Sequence, residues 1–273
     1  MSALAGRHGL RRDVTVDEVM GTRASVHVIV REGLPSLVSL DVDDAVARAL
    51  ASLHDADRRF STYRDASEVR RLARGELALD DAHPDVREVE AACRAALRTT
   101  AGRFSAWWRG WFDPTGYVKG WAVDRAMDAH LADLLDLEGV AAVGLNVGGD
   151  LCVRTRPGSS WTWTVGVADP RDRGRTVARL RLADGAVATS GTAERGAHLV
   201  DPRTGGRARG VLSATVVADT LADADVWATA AAVAGDDLTW VRDAGTRSGL
   251  LVGADGRTRR WAGGVEVTTD AGW

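Results

Sequence analysis

Lys119 is the only lysine in the chain, although Lys and Arg together number 35. A compact ammonium on a flexible stem can follow a small anion in a way that a planar guanidinium cannot. The residues before it, Asp113-Pro114-Thr115-Gly116, have the composition of a turn, and Val123, Met127, Leu131 and Leu134 recur after it at helical spacing. That pattern predicts Lys119 in or near the first turn of a helix, where free backbone N–H groups and the helix dipole add to a preference for anions such as phosphate. A solvated helix-start lysine is the plainer alternative. Asp225 and Thr229 are a second candidate group. Four residues apart, they project from one helical face and could ligate a hard cation such as Mg²⁺. An acidic first turn serving the helix dipole is the plainer account of Asp225.

The run from Thr189 to Gly205 mixes hydroxyls and glycines with His198 and Asp201 between two expected strands, as active-site loops do. His198 could be catalytic or structural. There is no G-x-S-x-G nucleophile elbow. Tyr63, in the polar segment from Arg58 to Glu68, could stack on a flat ligand or close the edge of a core. Trp107, Trp108, Trp111 and Trp121 crowd the approach to Lys119, either as packing or as a stacking wall. Asn146, the only asparagine, reads better as a turn-stabilising side chain than as a ligand contact. Gly148-Gly149 lacks the arrangement of a dinucleotide-binding turn.

The elements that must position these residues follow from periodicity and turn chemistry. Val14 to Val30 predicts two strands joined at Met20-Gly21-Thr22, and Leu37 to Asp57 a helix whose acids Asp41, Asp43 and Asp44 suit its N-terminal dipole. A short helix from Ser67 and a longer one from Pro84 to Thr100 come next. Val140 to Val147 and Leu151 to Arg154 predict strands around a tight turn, and Trp161 to Ala168 another. Thr176 to Ala183 and Ala186 to Ser190 predict a hairpin closed by Asp184-Gly185. Val211 to Ala218 predicts a strand, Leu221 to Gly235 a helix, Asp236 to Asp243 a short helix, and Asp255-Gly256 a hairpin turn. With no linker, repeat or low-complexity segment, the expectation is a flexible stretch over 1–12 and one α+β domain over 13–273.

Net charge is −3 and the acids and bases are interleaved, so nucleic acid is not the expected partner. Cys93 and Cys152 are far apart and fit reduced thiols. The N-terminus lacks the apolar core of a signal peptide, and no apolar run is long enough to span a membrane, so a cytoplasmic protein without an anchor is expected.

Several short motifs stand in order along the chain: Met20-Gly21-Thr22; Phe60-Ser61-Thr62-Tyr63 with Ser67-Glu68; Asp113-x-x-Gly116-x-x-Lys119-Gly120-x-Ala122-x-Asp124; Asn146-x-Gly148-Gly149-Asp150; Thr189-Ser190-Gly191; His198-x-x-Asp201-Pro202-x-Thr204-Gly205; and Ala224-Asp225-x-x-Ala228-Thr229. Together they resemble the ApbE family of FAD:protein FMN transferases. The resemblance implies antiparallel hairpins with packed helices, binding of FAD and Mg²⁺, and transfer of FMN to a threonine or serine hydroxyl of an acceptor flavoprotein with release of AMP. It implies FAD contacts at Met20, Tyr63, Arg103, Phe104, Ser105, Asp113, Lys119 and Val200. It implies metal contacts at Asp225, Thr229 and the Gly116 carbonyl, with Ala228 beside them, and His198 as general base. The family usually has Phe-Asp where this chain reads Phe104-Ser105, and the span from there to Asp113 is short. Many relatives are exported and lipid-anchored; with neither signal nor anchoring cysteine here, a cytoplasmic acceptor is expected. FAD hydrolysis to FMN and AMP, or FAD binding without turnover, are the competing expectations.

Overall fold

The computed structural model describes residues 9–33, 36–191 and 199–267. Strands β1 (Leu10–Val19) and β2 (Thr22–Arg31) form a hairpin closed by Met20 and Gly21, both at positive φ (55° and 68°), as a two-residue turn between twisted strands requires. β1 thus starts inside the stretch expected to be loose, with Leu10 to Arg12 paired to Arg31, Val30 and Ile29. Helix α1 (Ser36–Phe60) has no acid in its first turn, so the expected dipole role of Asp41, Asp43 and Asp44 is not what the structure builds; Asp44 instead pairs with Arg48 one turn on. Helix α2 (Glu68–Ala73) starts where the Ser67 hydroxyl accepts from the Arg70 N–H, and α3 (Pro84–Thr99) has its proline in the first turn.

Helix α4 (Thr115–Ala126) continues through a π-helical turn (Met127–Leu131) and a 3₁₀ turn (Ala132–Asp136) into β3 (Val140–Val147) and β4 (Asp150–Thr155). In the turn between those strands, Asn146 Oδ1 accepts from the Gly149 N–H at 3.3 Å, the turn-stabilising role expected of it. β5 (Trp163–Asp169) and β6 (Asp172–Leu182) pair only with each other. β7 (Gly185–Gly191), β8 (Val211–Ala218), helix α5 (Leu221–Ala234), β9 (Ser248–Gly253), β10 (Thr258–Ala262) and β11 (Val265–Val267) complete the described chain.

The main sheet runs β1-β2-β3-β4-β7-β8-β9-β10-β11, every neighbouring pair antiparallel. The hairpin expected between β6 and β7 does not exist. β7 pairs with β4 and β8, and Asp184-Gly185 is the point where the chain passes from the small sheet to the large one. That corner is tied to β4 instead: the Asp184 carboxylate accepts from the Thr155 N–H at 2.9 Å, and the Thr155 hydroxyl donates to the Ala183 carbonyl at 2.7 Å.

One face of the sheet carries α1, α3, α4 and α5. Val26, Val28, Val143, Leu145 and Val147 from the strands meet Leu53, Val89, Val123 and Val226 from the helices in one core. The other face is covered at β2 to β4 by the β5–β6 hairpin, whose Trp163 packs on Ile29, Ala142 and Val153. Helix α5 is apolar nearly all round, from Leu221 to Val233, because it lies between the sheet and α4 and meets little solvent. Its two polar interior residues, Asp225 and Thr229, are therefore exceptions that need a reason.

Candidate functional site

Helices α4 and α5 cross where Gly120 meets Ala222. A Cβ at Gly120 would lie 2.7 Å from the Ala222 backbone, so only glycine permits this approach. One residue before the crossing, Lys119 extends to two carboxylates from two other elements. Its Nζ forms an ion pair with Asp150 at the start of β4 and stands 3.3 Å from Asp225 Oδ2 on α5. All three side chains are largely enclosed, with relative exposures of 15%, 5% and 8%. Asp150 Oδ1 accepts from the Thr189 N–H at 2.9 Å, which ties the group to β7. On the next turn of α5, the Thr229 and Ser190 hydroxyls are 3.1 Å apart.

One ammonium between two buried carboxylates leaves a surplus negative charge in a place where uncompensated charge is expensive. The surplus has an address. Asp225 Oδ2 is buried and, among the described residues, accepts no hydrogen bond, although it lies within ion-pair reach of Lys119. No group of three His, Cys, Asp or Glu side chains among the described residues could by itself hold a metal. A single free carboxylate oxygen, a hydroxyl and backbone carbonyls are the donor set of a Mg²⁺ ion that keeps waters and substrate oxygens in its shell. The residues therefore fit such an ion.

The N-terminal end of α4 adds the neighbouring wall. Asp113, one residue before the N-cap Pro114, is buried, and its Oδ1 accepts from both the Thr115 N–H (3.2 Å) and the Thr115 hydroxyl (2.7 Å), so it satisfies the first N–H of the helix. Phe104 lies against Gly116, where a Cβ would stand 3.0 Å from its ring. Arg103 donates to Asp237 at 2.9 Å, while its buried Nε has no partner among the described residues. The Ser105 hydroxyl accepts from the Trp107 N–H at 3.1 Å and keeps its own proton to donate. The Val200 segment, bridged to Arg207, approaches the same wall through Arg203, whose side chain lies by Gly102.

Other chemistry-bearing groups are accounted for locally. His27 takes Arg12 as donor to Nδ1, which leaves the proton on Nε2, so the imidazole donates to Ser25 and cannot act as its base; burial, with the adjacent Arg12 charge, lowers its pKa to about 4. A cavity of about 240 Å³ near the Tyr63 segment is lined by Asp55, Arg58, Arg59, Ala66 and Glu68, but its arginines already pair with Asp55, Glu68 and Asp85. The four tryptophans around Lys119 in the sequence do not form one wall. Trp121 is buried edge-on to Phe60, Trp107 packs on Phe112, and all four lie under arginines: Arg94 on Trp107, Arg109 on Trp108, Arg70 on Trp111 and Arg125 on Trp121.

The sequence profile of the ApbE family matches residues 109–248, which contain α4, the Lys119 group and α5. The chain belongs to the ApbE family. The FAD:protein FMN transferase of Escherichia coli (strain K12) is 31% identical over 144 residues, which is 49% of this chain and 39% of that protein. That of Rhodobacter capsulatus is 38% identical over 156 residues, 53% of this chain and 28% of the relative. The matched parts thus span well under half of the length of these relatives. Among solved structures, the crystal structure of an ApbE protein from Thermotoga maritima superposes with a TM-score of 0.72 over 92% of this chain and 97% of the other, at 23% identity. The flavin transferase ApbE from Vibrio cholerae gives 0.70 over 93% and 97%, at 19% identity. The mixed α+β architecture is that of ApbE proteins along nearly the whole chain.

Within this ApbE fold, Lys119 meets Asp225, Thr229 follows Asp225 one turn on along α5, and Gly116 lies one turn before Lys119 on α4, against Phe104 and close in sequence to Asp113. Ala228 is fully buried and offers no side-chain oxygen, so only its backbone carbonyl could serve a cation. Met20 packs against the main core from its hairpin turn. Tyr63 is 95% exposed, which overturns the reading that it closes the edge of a core and leaves its ring free to cover something else. Met20, Tyr63 and the Arg103 to Ser105 segment lie outside the matched span of the family profile. His198 lies outside the described residues. The sequence does not single out Asp150 as a functional residue, although it sits in one of the ApbE-like motifs. Its only sequence signal is an acid placed directly after a Gly-Gly turn, and only the sheet reveals that this turn faces Lys119. No helix among the described residues is long and apolar enough to cross a membrane.

Proposed function

We propose that this protein is a Mg²⁺-dependent FAD:protein FMN transferase that attaches FMN, through a phosphoester bond, to a threonine or serine hydroxyl of an acceptor flavoprotein. The observation that carries the reading is the buried Asp225 oxygen without a hydrogen-bond partner beside the chain's sole lysine, inside the segment shared with the family. The names of the curated relatives support the same activity.

Asp225, Thr229 and the Gly116 carbonyl would hold Mg²⁺, which when bound neutralises charge on the diphosphate and the departing adenylate. Lys119 orients the same diphosphate by charge, and the two carboxylates flanking it keep its ammonium in place. Asp113 fixes the start of α4, so that Gly116 and Lys119 hold a constant spacing. Met20, Tyr63, Arg103, Phe104, Ser105 and Val200 would contact FAD, with Tyr63 free to stack on a planar ring. The acceptor oxygen attacks the FMN phosphorus, and the bond from that phosphorus to the bridging oxygen breaks. AMP leaves with that oxygen and the bond's electron pair, and the hydroxyl proton passes to His198 as general base. Phosphoryl transfer asks little covalent chemistry of a protein, so positioning and charge are sufficient work for these residues. We further propose one domain, begun by β1 at Leu10 instead of at residue 13, and a cytoplasmic setting, which two buried, unpaired thiols at Cys93 and Cys152 suit.

Intact-mass measurement of a threonine-bearing candidate acceptor, incubated with the protein, FAD and MgCl₂, tests the reading. An increment of one FMN together with AMP supports it. FMN and AMP formed equally fast without acceptor and without mass gain would make the protein a FAD pyrophosphatase, and the absence of AMP would leave a carrier.

A further inference from the structure

We propose that Asp124 is a positioning residue that locks the lysine-bearing helix to the carboxylate-bearing helix and so sets the separation of Lys119 and Asp225. This deepens the reading above and rests on it. Asp124 lies five residues after Lys119 on α4. Its Oδ1 accepts from the Leu221 N–H and its Oδ2 from the Ala222 N–H, each at 2.8 Å. Those are the first two residues of α5, and Asp225 follows one turn later.

The first four N–H groups of a helix have no partner within it. Thr220 is the N-cap of α5 and its carbonyl takes the first regular helix bond, from the Ala224 N–H at 3.1 Å; of the earlier donors at Leu221, Ala222 and Asp223, its hydroxyl accepts from the Asp223 N–H at 3.1 Å. The remaining two donors are satisfied by a carboxylate from a different helix. Leu221 and Ala222 are buried, so water is a poor substitute for it. The result is a closed ring: Lys119 along α4 to Asp124, across two hydrogen bonds to Leu221 and Ala222, along α5 to Asp225, and back to Lys119 at 3.3 Å. The close approach of Gly120 and Ala222 lies inside that ring and keeps it tight. A capping interaction made within α5 would stabilise the helix equally well, but it would not fix where Asp225 stands relative to α4. The carboxylate pays for its burial, which raises its pKa to about 6 even though both backbone bonds pull the other way.

The test compares Asp124→Asn with Thr220→Ala. Both weaken the same helix terminus, but only the first cuts the link between helices, because an amide offers one acceptor where the carboxylate offers two. Magnesium binding is measured by calorimetry with MgCl₂ alone, and the Mg²⁺ midpoint for AMP release from FAD is measured beside it. Expected for Asp124→Asn is a midpoint and dissociation constant raised about tenfold, the loss of roughly one charge-assisted hydrogen bond. FAD KM should stay within about twofold, and amide exchange at Leu221 and Ala222 should quicken. Thr220→Ala should lower the melting temperature and leave the Mg²⁺ midpoint unchanged. Equal shifts in both variants, or none in either, would overturn the proposal. Leu221 and Ala222 amides that exchange freely in the unaltered protein would overturn it without any variant. Failure of the unaltered protein to bind Mg²⁺ or release AMP would sink the transferase reading instead, while the exchange data still decide the link between helices.

Discussion

At the scale of single residues, the site trades stability for charge. Removing Lys119 would leave Asp150 and Asp225 buried against each other without a counter-ion, and breaking such a pair costs about 3–5 kcal/mol. Lys119→Ala should therefore unfold at markedly lower denaturant, as well as losing turnover. Lys119→Arg should remain folded yet turn over more slowly, because its longer planar head cannot occupy the place between the two acids in the same way. Asp225→Asn should go the other way. It removes a buried charge whose Oδ2 has no hydrogen bond, so thermal unfolding should occur at the same or a higher temperature while Mg²⁺-dependent AMP release is lost. A strong loss of stability in that variant would show that Asp225 is structural. Much of this group was legible in the sequence: a sole lysine after a turn, and an acid and a hydroxyl four apart on a helix. Asp150 was not, because its partner lies 31 residues earlier and the contact exists only once β4 has been placed in the sheet.

At the scale of elements, local turn chemistry located the strands well and predicted their partners less well. The Met20-Gly21 and Gly148-Gly149 turns join strands that pair, whereas Asp184-Gly185 joins strands in different sheets. A two-residue turn permits a hairpin, but the competing pairing of β7 with β4 and β8 buries Ala186 and Ala188 against the core, which pairing with β6 would not. The dipole assigned to the start of α1 failed for a related reason: the helix begins earlier than its acids, at Ser36. The crossing of α4 and α5 carries the sharpest prediction at this scale. A methyl group at Gly120 has no direction to go but into the backbone of Ala222, so Gly120→Ala should cost about 1–3 kcal/mol and weaken Mg²⁺ binding along with it. A chemical-denaturation midpoint unchanged from the unaltered protein would show that the helices can part without penalty.

At the scale of the whole molecule, two buried groups set opposite pH slopes. Asp124 has its pKa raised to about 6, so its contribution to stability is present below the unfolded value near 4 and is lost as pH rises through 6. His27 is a base with its pKa lowered to about 4, so its contribution is present above the unfolded value near 6.5 and is lost as pH falls through 4. Between roughly pH 4 and 6 the contributions of these two groups offset each other. Asp124→Asn should expose a loss on acidification in that window, and His27→Gln a gain; parallel profiles in all three proteins would contradict the assignment. The fold spans both halves of the chain, yet the profile of the family covers only residues 109–248, which locates the family's signal where the Lys119 group is built. The measurement that tests the central claim most directly is AMP release from FAD during a MgCl₂ titration, with the unaltered protein and Asp225→Ala side by side. The account predicts saturable, Mg²⁺-dependent AMP formation by the first and none by the second; equal rates in both, or AMP formation indifferent to Mg²⁺, would contradict it.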